Sequence, residues 1–316
     1  RGVLDGVATE AEAPGVDGGF GAWGRQRCTD TGPLTIERMK TVDSEFLSRT
    51  VKFMDDSVRG KKPFFIWHNT TRMHIYTHLR PESAHLAQPY SSGDDIYGSG
   101  MMELDADVGR ILEHIDQLNI RDNTIVLFTA DNGAMSAWWP DGGTTPFRSE
   151  KATTWEGGVR VPMLVRWPAR IKPGSVSNGI QSHMDLFTTL SAAVGETQIA
   201  DKLRRSHKVS IDGVNNLKHW TSGEASSRNY MIMYNEDQAT ALRFGPWKAH
   251  FKVRDGFFDY YRDSALIFNL RMDPYEQRDG HPSNNLAMKK AFLGGMIRDI
   301  MGAHIMSLLL THDSQP

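Results

Sequence analysis

Cysteine is almost absent from this chain. Cys28 stands alone in 316 residues, so neither an intrachain disulfide nor a cysteine-cluster metal site can form. Its neighbours include no histidine, and it reads as an indifferent thiol rather than a nucleophile. The lack of disulfides leaves the compartment open, because many exported proteins have none. Positive charge is not in excess either. Thirty-six Lys and Arg face 38 Asp and Glu, a formal net charge of -2, which argues against nucleic acid or an anionic membrane as main partner. No stretch approaches the ~20 apolar residues of a membrane-spanning helix, so no membrane span is expected. There is no signal peptide. The chain opens on Arg1 rather than Met, which suggests a processed or partial chain, and in that case the missing signal means nothing.

What is present is an ordinary globular composition, 39% hydrophobic and 23% charged, with no internal repeat. Residues 1–26 carry Gly15, Gly18, Gly19, Gly21 and Gly24 without periodicity and read as loop. From Pro33 to Gly60, the residues Met39, Val42, Phe46, Phe53, Met54 and Val58 recur at near-helical spacing. Residues 63–67 form a short apolar run suited to a buried strand. Residues 68–100 are irregular, and so long a loop within a compact domain is usually functional. A helix spans 101–118, with Met101, Leu104, Val108, Ile111, Leu112, Ile115 and Leu118 on one face. Strands follow at 124–129 and 161–165, then a helix from Met184 to Val194 with Gly195 as its stop. This alternation predicts an α/β domain with a largely parallel sheet over 1–200. After about residue 200 the pattern becomes strand-like at 230–234, 239–244, 247–253 and 266–270, with a helix over 285–310. Residues 201–316 are thus expected to form a small antiparallel sheet with one packed helix.

The chemistry gathers at strand ends. Asp131-Asn132-Gly133 follows an apolar strand, where ligands of open α/β sheets bind. Carboxylate and amide oxygens suit Ca²⁺, with Mg²⁺ as the alternative, better than zinc. The same tripeptide is also a favoured turn. Lys151 lies in Ser149-Glu150-Lys151-Ala152, ahead of Trp155-Glu156-Gly157-Gly158. Its ammonium suits a sulfate oxygen and charge developing on a leaving oxygen, although an isolated lysine is usually just solvated. Glu156 and Arg160 are spaced for an ion pair of structural character, and Gly157-Gly158 for close backbone packing. His74 follows the 63–67 run and can donate to an anion or act as general acid, with His68 and His78 as competitors.

Together these blocks resemble the type I sulfatase family, whose motifs include a strand into Asp-Asn-Gly, a Pro-Phe-Phe strand followed by a histidine, and a lysine before Glu-Gly-Gly-x-Arg-Val-Pro. The likeness covers most of the chain. The stretches 30–35, 69–74, 139–142 and 145–151 resemble a bacterial arylsulfatase subgroup, and 243–248 with 268–275 resemble the family's C-terminal sheet. The resemblance implies an alkaline-phosphatase-like fold: a large sheet between helices plus a smaller C-terminal antiparallel sheet with a helix. It implies sulfate ester hydrolysis, with Asp131 and Asn132 on Ca²⁺ and Lys151 on sulfate. His74 would contact sulfate or protonate the leaving alcohol. It also makes a periplasmic or secreted location plausible. The family's nucleophile is a formylglycine made within Cys/Ser-x-Pro-x-Arg; its hydrated aldehyde attacks sulfur.

That motif occurs nowhere in this chain. Two consecutive aspartates complete the family's metal site, but Asp55-Asp56 falls on an expected helix and Asp94-Asp95 in a loop, so neither takes the role. The nucleophile region is expected upstream of Arg1. The alternatives are a non-catalytic sulfatase-like binding module and a phosphodiesterase of the same fold. The 316 residues alone are expected not to hydrolyse sulfate esters. An assay with a chromogenic aryl sulfate checks this, and turnover that is lost in Lys151→Ala would overturn it.

Overall fold

The computed structural model describes residues 2–10, 25–88, 95–138, 142–277 and 290–312. Two compact units divide between Leu118 and Asn119. The composition change near residue 200 therefore falls inside the second.

The first unit opens with a hairpin where loop was expected. Strand β1 (Gly2–Ala8) pairs antiparallel with β2 (Gln26–Pro33), placing Gly6 opposite Cys28. Gly2, Asp5 and Gly6 break up the apolar residues of β1 and β2 is largely polar, so no apolar run marks these strands; a ladder is made by backbone groups and needs none. Helices α1 (Ile36–Met39), α2 (Val42–Arg59) and α3 (Ile96–Gln117) follow. Val42, Leu47 and Met54 are the buried apolar residues of α2, whereas Phe53 is exposed. Helix α3 begins five residues earlier than its apolar spacing suggests, because the Asp95 carboxylate caps it by accepting from Gly98 N at 2.6 Å. Asp94 lies outside the described residues. Residues 63–67 join no ladder among the described residues, with Phe65 70% and Trp67 79% exposed. Apolarity alone supplies a tendency to form a strand; a paired neighbour is what makes one.

Among the described residues, the second unit contains two sheets. Strands β3 (Val126–Thr129) and β4 (Met163–Arg166) pair antiparallel. The expected parallel relation is corrected here: the 33 residues between them do not form a crossover helix but loop back, carrying the acid-amide turn, the lysine turn and the short α4 (Glu156–Val159). Helix α5 (Met184–Ala193) falls where expected, while α6 (Ile199–His207) and α7 (Leu217–Ser222) were not foreseen. Strands β5 (Tyr230–Asn235), β6 (Gln238–Phe244), β7 (Trp247–Val253) and β8 (Arg262–Asn269) form an antiparallel meander. Helix α8 (Leu293–His312) covers one face of it. Leu242, Phe244 and Leu293 are buried there, flanked by Ile297, Ile300 and Met301. The start expected for this helix, near 285, lies outside the described residues. The other face receives Trp155, buried with Val253, Phe268 and Leu270. The sheet thus sits between a helix and the segment that follows Lys151.

Helix α8 also departs from the expectation of no spanning-length segment. Leu293–Leu310 is long and apolar enough to cross a membrane by length and composition. Arg298-Asp299 interrupts the apolar run in sequence without making the helix polar. Leu242, fully buried between sheet and helix, is the test of this packing. Leu242→Ala should destabilise the chain by about 2–5 kcal/mol in urea unfolding. A loss under about 1 kcal/mol, the scale of an ordinary surface change, would mean that α8 does not seal this face.

Candidate active site

Strand β3 ends at Thr129, and Asp131 and Asn132 emerge one residue later. What holds them is backbone. Gly133 N donates to Gly158 O at 2.9 Å, and Lys151 N to Ala134 O at 2.8 Å. A Cβ on Gly133 would stand 1.8 Å from the Gly157 carbonyl oxygen. Gly133 is therefore required for close approach and not for a left-handed turn, since its φ is not positive. Gly157 is equally confined: its own Cβ would meet the carbonyl oxygens of Arg148 and Ser149 at 2.3 Å. The close packing expected of Gly157-Gly158 is present.

The lysine turn lies on this glycine contact. Ser149 and Ala152 flank the pair Glu150-Lys151, and both are left-handed, at φ 63° and 66°. Glu150 is buried; its Oε2 accepts from Ser136 Oγ at 2.9 Å and Ala137 N at 2.6 Å, and its Oε1 from Phe257 N at 2.9 Å. Lys151 is half-buried, and its ammonium has no hydrogen bond or ion pair to any described residue. Asp131 is exposed with an equally unengaged carboxylate. Asn132 donates its Nδ2 to Gly133 O at 2.8 Å, which leaves its side-chain carbonyl oxygen available. Two hard oxygen donors thus stand at the end of β3, and their chemistry fits Ca²⁺ or Mg²⁺. No group of three His, Cys, Asp or Glu able to hold a metal occurs among the described residues.

Below the lysine turn lies a buried ionic cluster that sequence reasoning missed except at its rim. The Glu156–Arg160 pair is present at 3.5 Å. Glu156 also meets Lys248 at 2.9 Å and Arg243 at 3.6 Å. Lys248, fully buried, reaches Glu276 at 3.3 Å. Glu276 accepts from Glu156 N at 2.6 Å and from His250 Nε2 at 2.7 Å. Burial alone would raise the Glu276 carboxyl, but Lys248 and the His250 hydrogen bond more than offset it and hold it below the usual range. Burial lowers the His250 imidazole, against the pull of Glu276. His250 is therefore neutral and carries its proton on Nε2, with Nδ1 buried and unbonded among the described residues. The strand pattern of β7 marks residues 248 and 250 as sharing a face, but nothing in the sequence says that this face is dry.

His74 belongs to the first unit. It is exposed, in a turn where its N donates to Thr71 O at 2.9 Å. Buried Arg72 anchors that turn by pairing with Asp43 of α2 at 3.3 Å and Glu103 of α3 at 2.8 Å. His68 is instead engaged, its Nδ1 within 2.9 Å of Thr50 Oγ, and burial lowers its pKa. Asp55 pairs with His114 and Asp56 with Lys52, so both aspartates set aside above are occupied elsewhere. His183, which no pattern singled out, lies 3.2 Å from Thr129 Oγ at the end of β3. Of the stretch 139–142 that carries part of the resemblance, residues 139–141 lie outside the described residues.

Comparison with known proteins gives this geometry a context. A family model described as Sulfatase matches residues 17–196. The chain is 35% identical over 259 residues to human N-acetylgalactosamine-6-sulfatase, covering 73% of this chain and 47% of that protein. It is 32% identical over 255 residues to bovine arylsulfatase A, covering 74% and 48%. It spans about half the length of the curated relatives it matches. Among solved structures, the PsFucS1 sulfatase of Pseudoalteromonas sp. superposes with a TM-score of 0.78 at 26% identity, covering 92% of this chain and 57% of that one. The fold is that of these proteins, alkaline-phosphatase-like, with the small four-stranded antiparallel sheet towards the C-terminus.

Two outcomes follow from the buried cluster. Lys248→Met leaves two buried carboxylates short of a cation and should cost about 3–5 kcal/mol in urea unfolding. Acidification should also destabilise the chain. The folded pKa of His250 lies below the ordinary 6.5 and that of Glu276 below 4.5. The stability that each contributes is present above its unfolded value and is lost as pH falls, first for His250 and then for Glu276. His250→Gln should shrink the first phase between pH 7.5 and 5, leaving the part that His68 contributes. A wild-type midpoint that stays level over that range would contradict the assignment.

Proposed function

Because this chain belongs to the sulfatase family, we propose that it supplies the sulfate-holding part of a sulfuric ester hydrolase of arylsulfatase type. The observation that carries this reading is an unengaged, half-buried ammonium tied by backbone to two unengaged oxygen donors. An anion and a hard cation are the natural complements of such a set. Lys151 binds a sulfate oxygen and, as the ester bond breaks, stabilises negative charge on the departing oxygen. Asp131 and Asn132 hold Ca²⁺, with Mg²⁺ as the alternative. A bound cation there supplies positive charge against the sulfate.

The nucleophile in this reading is a formylglycine from residues outside these 316, since no Cys/Ser-x-Pro-x-Arg occurs among them. That lack is also what favours the second reading, a sulfatase-like module that binds without turnover. In either reading the buried cluster beneath Lys151 is a support and not a reactive centre.

Titration calorimetry of the chain with sodium sulfate, with and without CaCl₂, tests the site. Lys151→Ala should weaken sulfate binding about tenfold or more, the scale of one charge-assisted hydrogen bond. Asp131→Ala should remove the effect of calcium. Unchanged sulfate affinity in Lys151→Ala overturns the reading. Phosphate bound well above sulfate would instead favour a phosphodiesterase of the same fold.

A further inference from the structure

The lysine turn has a local conformation that its own residues do not favour. Ser149 and Ala152 both carry a Cβ, yet both are left-handed, which costs on the order of 1–2 kcal/mol per residue. Such a turn persists only where its surroundings over-determine it. Besides the 134–137 segment, which bonds Glu150 and Lys151 N, the surroundings include one connection, residues 254–261, which leads from β7 to β8.

Four of the five residues from 148 to 152 are bonded to that connection. Arg148 Nη2 meets Asp255 Oδ1 at 3.3 Å, and Ser149 Oγ donates to Asp255 O at 2.7 Å. Glu150 Oε1 accepts from Phe257 N at 2.9 Å. The Ala152 carbonyl accepts from Arg254 Nε at 2.7 Å, from Arg254 Nη2, and from Tyr261 Oη at 3.3 Å. Trp155 Nε1 adds a bond to Arg254 O at 2.9 Å. The exception is Lys151, whose side chain takes no part. Arg254 is itself fixed, with its guanidinium 5.0 Å from the centre of the Tyr261 ring.

We propose that Arg254 and Tyr261 are positioning residues for Lys151: by holding the Ala152 carbonyl they keep the turn left-handed and its ammonium presented to the anion. The proposal rests on the sulfate-binding reading of Lys151 and extends it to the small C-terminal sheet. A lysine side chain is a flexible stem carrying a point charge, so its placement depends on where its Cα is held. Released from Arg254, Ser149 and Ala152 can relax to negative φ, and the ammonium leaves its place although the residue is intact.

The test uses the 316-residue chain with inorganic sulfate as probe. Reductive ¹³C-methylation makes the Lys151 dimethylamine visible by NMR, assigned through Lys151→Arg, and each variant is titrated with sodium sulfate. Arg254→Ala should raise the sulfate dissociation constant about fivefold or more, as expected for lost positioning, at an unchanged melting temperature. Arg254→Lys should recover part of it. Tyr261→Phe removes one hydroxyl, serves as the variant least able to perturb folding, and should show a smaller rise of the same sign. Wild-type affinity in both Arg254→Ala and Tyr261→Phe, with binding lost in Lys151→Ala, overturns the clamp and leaves the functional reading standing. If Lys151→Ala itself binds sulfate normally, the functional reading fails instead. The clamp is then judged by amide hydrogen exchange: faster exchange at Lys151 N in Arg254→Ala supports it, and an unchanged rate overturns it.

Discussion

An added Cβ on Gly133 would stand 1.8 Å from the carbonyl oxygen of Gly157, so the acid-amide turn and the Glu-Gly-Gly segment touch backbone to backbone. The charged groups of the candidate site adjoin that contact. Asp131 and Asn132 precede Gly133, and Lys151 N is bonded to Ala134, the residue after it. Distances set by main-chain hydrogen bonds are stiffer than distances set by long side chains. The proposed site, for a compact tetrahedral anion beside a cation, would gain from that stiffness, because misplaced donors cost binding at each contact.

The glycine contact needs a base, and the four-stranded sheet provides it. Trp155 fills the apolar part of the seam with Val253, Phe268 and Leu270, while Glu156, Lys248, Glu276 and His250 fill the polar part. Buried ion pairs add little net stability, because desolvation offsets most of their attraction. What they add is discrimination among packings. A seating shifted by one residue would leave a buried carboxylate without its cation, whereas an all-apolar seam would tolerate the shift. The direction of every pKa displacement in the cluster follows from this balance between burial and pairing.

Much of the fold was legible because its apolar spacing is regular. The body of α3, helix α5 and the four strands of the C-terminal sheet lie within a few residues of where periodicity puts them, while the helix expected over 33–60 is divided into α1 and α2. The hairpin of β1 and β2 was not legible, since glycine and aspartate break up the apolar residues of β1, β2 is largely polar, and only their pairing makes them strands. The run at 63–67 failed in the opposite sense: apolar and strand-like, it has no ladder among the described residues. The direction of β4 against β3 could not be read either, because an apolar run has no polarity and the 33-residue connection admits both directions.

At the site, the division is sharper. Sequence by itself determined the donor chemistry: an oxygen-rich pair at a strand end, a lysine ahead of two glycines, and the family to which these belong. It also determined that the glycines would permit close approach. Only the tertiary structure decided which backbone approaches which, that Glu156 answers to Lys248 and Glu276 more closely than to Arg160, and that the turn bearing Lys151 is held from the 254–261 connection. The reason is physical. A residue's donors and charges are local properties written in its side chain, whereas desolvation and left-handed strain depend on what is brought against it from about a hundred residues away.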